Sequence, residues 1–277
     1  MTDTRPTGRR SVFATNKGGV GKSLWVMELA AALARRGRKV LVVDVDPQSN
    51  LTRRMRVDLN DETPTLTTVM QTGNAATIAI QPCGWDSPES DTIDVLPSDI
   101  DLEMRSLEAG HPGAILRLRK ALEPVAPVYD HILFDCPPSL GHLTQNAIAA
   151  AGPTGDVYLP VNPEKDAIRG AQRTREFVED YAVDLYSDGI TIAGVLVNAV
   201  SATTVLHSTR LSELPTSFGV SDITGRAVPI WEPYISRQIR IAELHDAGRP
   251  TSTDRDMKKA GVVDAFDAIA ERMDGGS

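Results

Sequence analysis

The stretch that decides the fold reads Asn16-Lys17-Gly18-Gly19-Val20-Gly21-Lys22-Ser23. Its last three residues complete the pattern G-x-x-x-x-G-K-[ST] of a phosphate-binding loop, but Asn16 stands where that pattern has its first glycine. Glycines let such a loop turn tightly and present backbone N–H groups to phosphate oxygens. Lys17 is not explained by the ordinary pattern, so this second lysine narrows the class of protein.

The residues around the loop predict a strand, a helix and a second strand. Residues 11–15 form a short apolar strand, residues 24–36 are rich in Ala and Leu, and Gly37 is placed to end the helix. Residues 39–44 are apolar at their centre, as expected for a parallel strand covered on both faces. This βαβ unit predicts an α/β fold with a doubly wound, mostly parallel sheet and helices on both faces, a P-loop NTPase.

The loop spacing assigns chemistry to individual residues. Backbone N–H groups of the loop and of Leu24, together with the helix dipole, are expected to bind nucleotide phosphates. Lys22 is expected to contact the β- and γ-phosphates, and Ser23 to supply a hydroxyl to magnesium.

Three carboxylates follow apolar runs. Asp44 and Asp46 end the second strand, and the two-residue period of a strand puts them on the same side. Asp135 ends the apolar run of residues 131–135, which is the Walker B pattern. Open α/β sheets bind ligands at the carboxyl ends of their strands. One carboxylate is therefore expected to serve magnesium and another to orient an attacking water.

Together these motifs resemble the ParA/MinD family of deviant Walker A ATPases. The D-x-D-P-Q form of residues 44–48 and the Pro-Pro pair after Asp135 are similar to the ParA (Soj-like) DNA-partition branch in particular. The resemblance extends from about residue 11 to near the C-terminus. The chain departs from it at Leu24, where many relatives have Thr.

The resemblance implies roles for the motif residues. Lys17 matches the signature lysine that crosses a dimer interface to the partner's phosphates, and Asp46 matches the carboxylate that positions the hydrolytic water. Lys17, Lys22 and Asp46 are thus the implied catalytic residues, and ATP and Mg²⁺ the implied cofactors. The groups matched to the magnesium side are Ser23, Asp44 and Asp135.

Matches in the C-terminal half are looser. Asn198 and Pro229 lie where relatives line the adenine pocket. Basic residues in the last third of the chain stand where relatives bind DNA non-specifically, and here these are Arg210, Arg237 and Arg240.

The resemblance further implies a partition ATPase. ATP would join two protomers into a homodimer that binds DNA non-specifically, and a ParB-like centromere-binding partner would stimulate slow hydrolysis and release. Such a cycle segregates or positions a plasmid or chromosome, in a cytoplasmic, nucleoid-associated location. Two alternatives stay open: a positioning ATPase of the same fold for a protein assembly or division inhibitor, and a P-loop enzyme resembling dethiobiotin synthetase that uses ATP on a small molecule.

Composition bounds these interpretations. The 277 residues, 41% of them hydrophobic, fit a single domain over residues 11–277, with residues 1–10 as a disordered polar tail. No run approaches the ~18 apolar residues of a membrane span. Two cysteines imply no disulfide framework and fit a reducing cytoplasm. The net charge of −8 means that DNA binding requires a locally basic face.

Three further segments carry weaker expectations. Residues 60–92 are predicted to be a loop-rich surface excursion. Apolar residues recur at helical spacing over 262–273 and predict a helix packed on the core, whose acidic flanks disfavour a membrane role. The histidines lack metal-ligand spacing, so we interpret His142, His207 and His245 as ordinary surface or hydrogen-bonding residues.

Overall fold

The computed structural model describes residues 8–201 and 204–275. Its strands, in chain order, are β1 (Arg9–Phe13), β2 (Val40–Asp44), β3 (Gln81–Pro82), β4 (Ile93–Leu96), β5 (His131–Asp135), β6 (Asp156–Val161), β7 (Thr191–Val197) and β8 (Ile230–Trp231). They form one eight-stranded sheet in the order β3-β4-β2-β5-β1-β6-β7-β8. All neighbouring strands are parallel except β3 and β4, which are antiparallel.

Helices cover both faces of the sheet. In chain order they are α1 (Lys22–Arg35), α2 (Asn50–Arg54), α3 (Leu66–Thr72), α4 (Arg117–Leu122), α5 (His142–Ala151), α6 (Lys165–Tyr181), α7 (Val205–Ser217), α8 (Ile239–Asp246), α9 (Arg255–Lys259) and α10 (Val262–Met273). Apolar residues of α1, α8 and α10 share one core cluster, and those of α3 to α7 share the other. The predicted doubly wound, mostly parallel α/β fold is confirmed.

The central strands are apolar because both of their faces are covered. Every residue of β2 and β5 is buried. On one face Trp25 of α1 packs edge to face on Phe266 of α10, with ring centroids 5.2 Å apart. The C-terminal helix therefore packs on the core along its apolar stripe, as its spacing predicts.

Parallel pairing brings the chemically distinctive segments to one edge of the sheet. In the register of the strands, Asp135 at the end of β5 lies opposite both Phe13 of β1 and Asp44 of β2. The glycine loop follows β1 directly, and the Asp46 segment follows β2. The carboxyl ends of three adjacent strands thus meet at one place.

The first strand begins earlier than predicted. Residues 1–7 of the predicted tail lie outside the described residues. Arg9 and Arg10, however, belong to β1 and pair with His131 and Ile132 of β5, so the predicted tail boundary after residue 10 is wrong. Both arginines are only partly exposed, and their guanidinium groups donate hydrogen bonds to the carbonyls of Met273 and Ala150 respectively.

The segment 60–92 is also less peripheral than predicted. Leu66, Val69 and Met70 of α3 are buried in the main core, and β3 adds an edge strand to the sheet. Trp85 is buried and its Nε1 donates a hydrogen bond to the carbonyl of Arg54 at 2.8 Å. Tertiary packing therefore orders a stretch whose turn-forming composition predicts a surface excursion.

Candidate active site

The glycine loop joins β1 to α1 in a conformation that requires glycine. Gly19 and Gly21 have φ angles of 72° and 85°, in the left-handed region. A Cβ on Gly21 would collide with the side-chain amide of Asn198. That amide donates a hydrogen bond to the carbonyl of Val20 at 2.7 Å, so the end of β7 holds the loop in place.

Helix α6 supports the loop from the other side. The backbone N–H of Asn16 donates to Oγ1 of Thr174 at 2.9 Å. Gly170 permits this approach, because a Cβ there would lie 2.7 Å from the Asn16 carbonyl oxygen. The loop is thus held by α6 on one side and by the end of β7 on the other.

The two lysines have different environments. Lys22 is buried, and its Nζ donates to the carbonyl of Lys17 at 3.1 Å. Burial lowers the pKa of Lys22, and the carboxylate of Asp135 opposes that effect. Lys17 is exposed, and within residues 8–201 and 204–275 its ammonium group has no hydrogen bond or ion pair. It remains free to contact a group from outside the protomer.

Asp135 is a buried carboxylate with an unsatisfied oxygen. Burial, followed by the nearby charge of Asp44, raises the pKa of Asp135 to about 8, and a hydrogen bond from Ser23 opposes the shift. Among the described residues Oδ1 of Asp135 has no hydrogen-bond partner. An orphaned acceptor beside the Ser23 hydroxyl fits a magnesium ion or its water ligands.

The site offers few protein ligands to a metal. The described part of the chain contains no cluster of three or more His, Cys, Asp or Glu that could hold a metal ion by itself. Mg²⁺ keeps several waters and is usually held by one or two protein groups plus the phosphates of the substrate. Ser23 and Asp135 are the groups best placed for it.

Asp44 and Asp46 are arranged differently from one another. Asp44 is fully buried, and its Oδ2 accepts hydrogen bonds from the backbone N–H of Thr52 at 2.8 Å and from its Oγ1 at 2.7 Å. Oδ1 of Asp44 accepts from the N–H of Asp46 at 3.2 Å. Burial raises the pKa of Asp44 to about 6. Asp46 is half-buried and lines the cavity described next.

A cavity of about 510 Å³ opens at the glycine loop. Its volume lies in the range of nucleotide-sized ligand sites. One wall is formed by the loop residues 18–24, with Asp46 and Pro138 beside them. The opposite wall comes from the C-terminal part of the chain: Asn198, Ala199, Ile235, Ser236, Arg237, Gln238, Ile241, Ala242 and His245.

The two residues predicted for the adenine pocket have different outcomes. Asn198 lines the cavity and touches the loop. Pro229 instead lines a separate cavity of about 650 Å³ beside α6 and the start of β7, so its predicted place is wrong. Pro229 precedes β8, and in a parallel sheet the start of a strand lies at the edge opposite the carboxyl ends of the strands. Residues 235–238, which follow β8, line the cavity at the glycine loop.

The three predicted DNA-contact arginines are not equivalent. Oε2 of Glu213 lies 2.6 Å from Nη1 of Arg210. Arg240 is paired with Asp254 at 2.8 Å and with Glu243 at 3.1 Å. Arg237 is exposed, lines the mouth of the cavity, and has no ion pair among the described residues.

Two residues at the site are not recognisable from the sequence. His245, interpreted as an ordinary surface or hydrogen-bonding residue, is buried and lines the cavity. It does form a hydrogen bond, since its Nε2 lies 2.6 Å from the buried carboxylate of Glu28. Thr52 holds Asp44 through two hydrogen bonds. Glu28 is remote from His245 in the sequence, and Thr52 lies in the short helix α2, so no spacing rule indicates either residue.

The fold and the loop together define a P-loop ATPase domain, and residues 9–188 match the AAA domain family. The chain is 31% identical over 244 residues to the sporulation initiation inhibitor protein Soj of Bacillus subtilis, covering 88% of this chain and 90% of Soj. It is 30% identical over 254 residues to the chromosome partitioning protein ParA of Caulobacter vibrioides, covering 90% and 88%. The chain belongs to the ParA/MinD family of ATPases.

Solved structures agree with this fold. McdA of Cyanothece superposes with a TM-score of 0.80 at 19% identity, covering 95% of this chain and 98% of McdA, which shows the fold alone. Cobyrinic acid a,c-diamide synthase of Mycobacterium smegmatis, with bound ADP and magnesium, is 27% identical with a TM-score of 0.71, covering 86% and 93%. Among the helices of the described ranges, none combines the length and apolar character needed to cross a membrane.

Proposed function

We propose that this protein is a ParA-type partition ATPase. It binds Mg-ATP, forms a face-to-face homodimer, binds DNA non-specifically, and hydrolyses ATP slowly until a ParB-like centromere-binding partner stimulates it. The cargo is a plasmid or a chromosome, and the protein acts in the cytoplasm in association with the nucleoid. Similarity to Soj and ParA over about nine-tenths of the chain supports this proposal.

The observation that carries the proposal is the position of Lys17. An ordinary phosphate loop needs one lysine, and buried Lys22 occupies that place. The carbonyl of Lys17 helps to hold Lys22, while its own ammonium group is exposed at the face that carries the cavity. A cation without a partner among residues 8–201 and 204–275 is suited to neutralise phosphate charge in a second protomer.

We assign phosphate binding, magnesium binding and orientation of the attacking water to different residues of the site. Loop N–H groups and Lys22 bind the phosphates and stabilise the charge that develops on them. Ser23 and Asp135 hold Mg²⁺, which supplies charge neutralisation at the phosphate oxygens when bound. Asp46 lines the cavity and orients the attacking water. In this scheme Asp44 stays buried behind Asp46 and supports it.

We assign DNA binding to basic residues in the last third of the chain, of which Arg237 lines the cavity. The net charge of −8 excludes a uniformly basic surface, so contact depends on a local patch. Exposed Arg237 is the leading candidate, while Arg210 and Arg240 contribute less because carboxylates already pair with them. Dimerisation doubles the patch, which gives ATP-dependent binding through avidity.

The deciding experiment is retention on a non-specific DNA duplex with ATP, ADP or no nucleotide, at low and moderate salt. We expect retention only with ATP, and weaker retention as salt rises. Asp46→Ala should hydrolyse slowly and accumulate as an ATP-bound dimer, whereas Lys22→Ala should bind neither nucleotide nor DNA. Equal retention in all nucleotide states, or an Asp46→Ala protein that stays monomeric in ATP, would contradict the proposal.

One rival function has an observation in its favour. The 27% identical M. smegmatis protein is named as an enzyme that forms a diamide on a small molecule. If this chain used ATP on a small molecule, hydrolysis would depend on that substrate. ATP turnover by the purified protein alone, accelerated by DNA and a ParB-like protein, separates the partition ATPase from such an enzyme. A positioning ATPase with another cargo would hydrolyse ATP without responding to a ParB-like protein.

A further inference from the structure

A continuous chain of buried hydrogen bonds runs behind the Asp46 segment. The backbone N–H of Ser98, which follows β4, donates to Oγ1 of Thr52 at 3.0 Å. That hydroxyl donates its own proton to Oδ2 of Asp44 at 2.7 Å, and the Thr52 N–H donates to the same oxygen at 2.8 Å. Oδ1 of Asp44 then accepts from the N–H of Asp46 at 3.2 Å.

The chain of bonds determines the direction in which the Thr52 hydroxyl points. Because the Ser98 N–H can only donate, it uses the acceptor side of the hydroxyl, and the hydroxyl proton is left for Asp44. Thr52, Asp44 and Ser98 are at most 1% exposed, so water cannot replace a missing partner. The Asp44 carboxylate therefore has a single stable orientation, and its other oxygen faces the backbone of Asp46.

We infer that Thr52 is a positioning residue for ATP hydrolysis: it orients Asp44, and Asp44 fixes the backbone from which Asp46 reaches the attacking water. The inference rests on the proposed role of Asp46. It also changes the role of Asp44. Its two oxygens accept three hydrogen bonds from Thr52 and Asp46, so we assign Asp44 to the support of Asp46. The magnesium contacts are assigned to Ser23 and to Asp135, whose Oδ1 has no hydrogen-bond partner among the described residues.

The hydrogen bond between Thr52 and Asp44 involves none of the groups assigned to hold the nucleotide. Its removal should therefore slow ATP hydrolysis and leave ATP affinity unchanged. The nucleotide is held by the glycine loop and Lys22, which are anchored by Asn198 and Thr174. None of these anchors includes Thr52. Loosening the Asp46 segment displaces a water-orienting group by a fraction of an ångström to an ångström, and such displacements can reduce rates by up to about a hundredfold.

The test compares Thr52→Val, which removes the hydroxyl at nearly constant shape, with Thr52→Ser, which retains it. The matched control is Thr67→Val. Oγ1 of Thr67, in α3, donates to Oδ1 of Asp99 at 2.8 Å, so this control removes a partly buried threonine-to-aspartate hydrogen bond that does not lead to Asp46. For each full-length variant we would measure nucleotide Kd, single-turnover ATP hydrolysis, thermal midpoint and amide exchange across residues 44–48.

For Thr52→Val we expect a fall in the hydrolysis rate of about ten- to a hundredfold, with the Kd for ATP unchanged within about twofold. Exchange at the Asp46 amide should become faster. Thr52→Ser should restore the rate to within about threefold, and Thr67→Val should lower the thermal midpoint with a wild-type rate.

Three results would overturn the inference. They are a wild-type rate in Thr52→Val, a parallel loss of rate and ATP affinity, and a rate loss as large in Thr67→Val. Should Thr52→Val fail to fold, Thr52→Ser still decides, because a rate reduced more than tenfold with the hydroxyl retained would also overturn it. Failure of the proposed partition function is distinguishable, since it would appear in wild-type DNA retention and not in these ratios.

Discussion

Glu28 and His245 lie 2.6 Å apart in the buried interior, with Oε1 of the carboxylate facing Nε2 of the imidazole. The pair joins the helix that follows the glycine loop, α1, to α8, which forms the opposite wall of the cavity. The same carboxylate accepts hydrogen bonds from the N–H of Thr251 at 2.9 Å and from its hydroxyl at 2.6 Å. The carboxylate of Glu28 thus joins the C-terminal region to α1, the helix that follows the glycine loop.

The first prediction concerns this carboxylate. Glu28→Gln removes one charged acceptor and leaves a buried donor without a partner, so unfolding free energy should fall by about 2 kcal/mol. ATP affinity should weaken as well, because α8 loses its attachment. Urea unfolding and nucleotide titration measure both effects. Asp246→Ala, which breaks the exposed pair with Arg54, is the control and should change stability by less than about 1 kcal/mol. Equal stability losses in the two variants would contradict the structural role of Glu28.

The second prediction distinguishes the effect of backbone strain at a glycine from the effect of a collision with Asn198. Gly21 and Gly37 both have a positive φ, but a Cβ on Gly21 would collide with Asn198, whereas nothing lies within 4 Å of one on Gly37. Gly37→Ala should therefore lower stability by about 1 kcal/mol with normal ATP binding. Gly21→Ala should also displace Asn198 and lose most ATP affinity. Isothermal titration measures the two affinities, and comparable ATP binding by the two variants would exclude the Asn198 collision as the cause.

The third prediction ranks the arginines in DNA binding. Arg237→Ala should weaken retention on DNA and reduce the slope of log K against log salt by about 0.9 for each phosphate that the arginine neutralises. Arg240→Ala should have a smaller effect on DNA binding, because Asp254 and Glu243 already pair with its charge. Since Arg237 lines the cavity mouth, ATP affinity must be measured in parallel. A larger DNA defect in Arg240→Ala would reverse the ranking.

The fourth prediction concerns pH and the strand that ends in Asp135. Burial lowers the pKa of His131, although a hydrogen bond to Asp274 at 3.1 Å opposes the shift. The folded protein therefore favours the neutral ring, and stability is lost as pH falls below the unfolded value of about 6.5 towards the folded pKa. His131→Asn should reduce the decline in unfolding free energy between about pH 7 and pH 5, measured by urea unfolding.

Some decline in unfolding free energy should remain in this variant, because burial also lowers the pKa of His142. An unchanged slope would contradict this assignment.

Much of the site can be predicted because its signals are local. The loop of residues 16–23 lies between a strand and a helix, and the Walker B run coincides with β5. Each pattern depends on neighbours within a few residues, where backbone geometry and strand or helix period leave little freedom. The same patterns identify the fold, because a βαβ unit with this loop is compatible with few sheet topologies.

Predictions fail where the outcome depends on long-range packing. The family resemblance predicts Pro229 at the adenine pocket, but the direction of β8 puts it at the opposite edge of the sheet. The turn-forming segment 60–92 contains α3, because Leu66 and Met70 are buried in the hydrophobic core. Local composition cannot report which surface a distant element will cover.

The sequence by itself determined the class of protein, the glycine loop and the carboxylates at the strand ends, because these follow from local backbone geometry. Only the tertiary structure decided that Asp44 accepts hydrogen bonds from Thr52 and Asp46, that Glu28 lies against His245, and that Arg240 is already paired. These contacts join residues up to 217 positions apart, as Glu28 and His245 are. These contacts form only when whole helices and strands are placed correctly relative to one another. That placement is fixed by the burial of the two faces of the sheet.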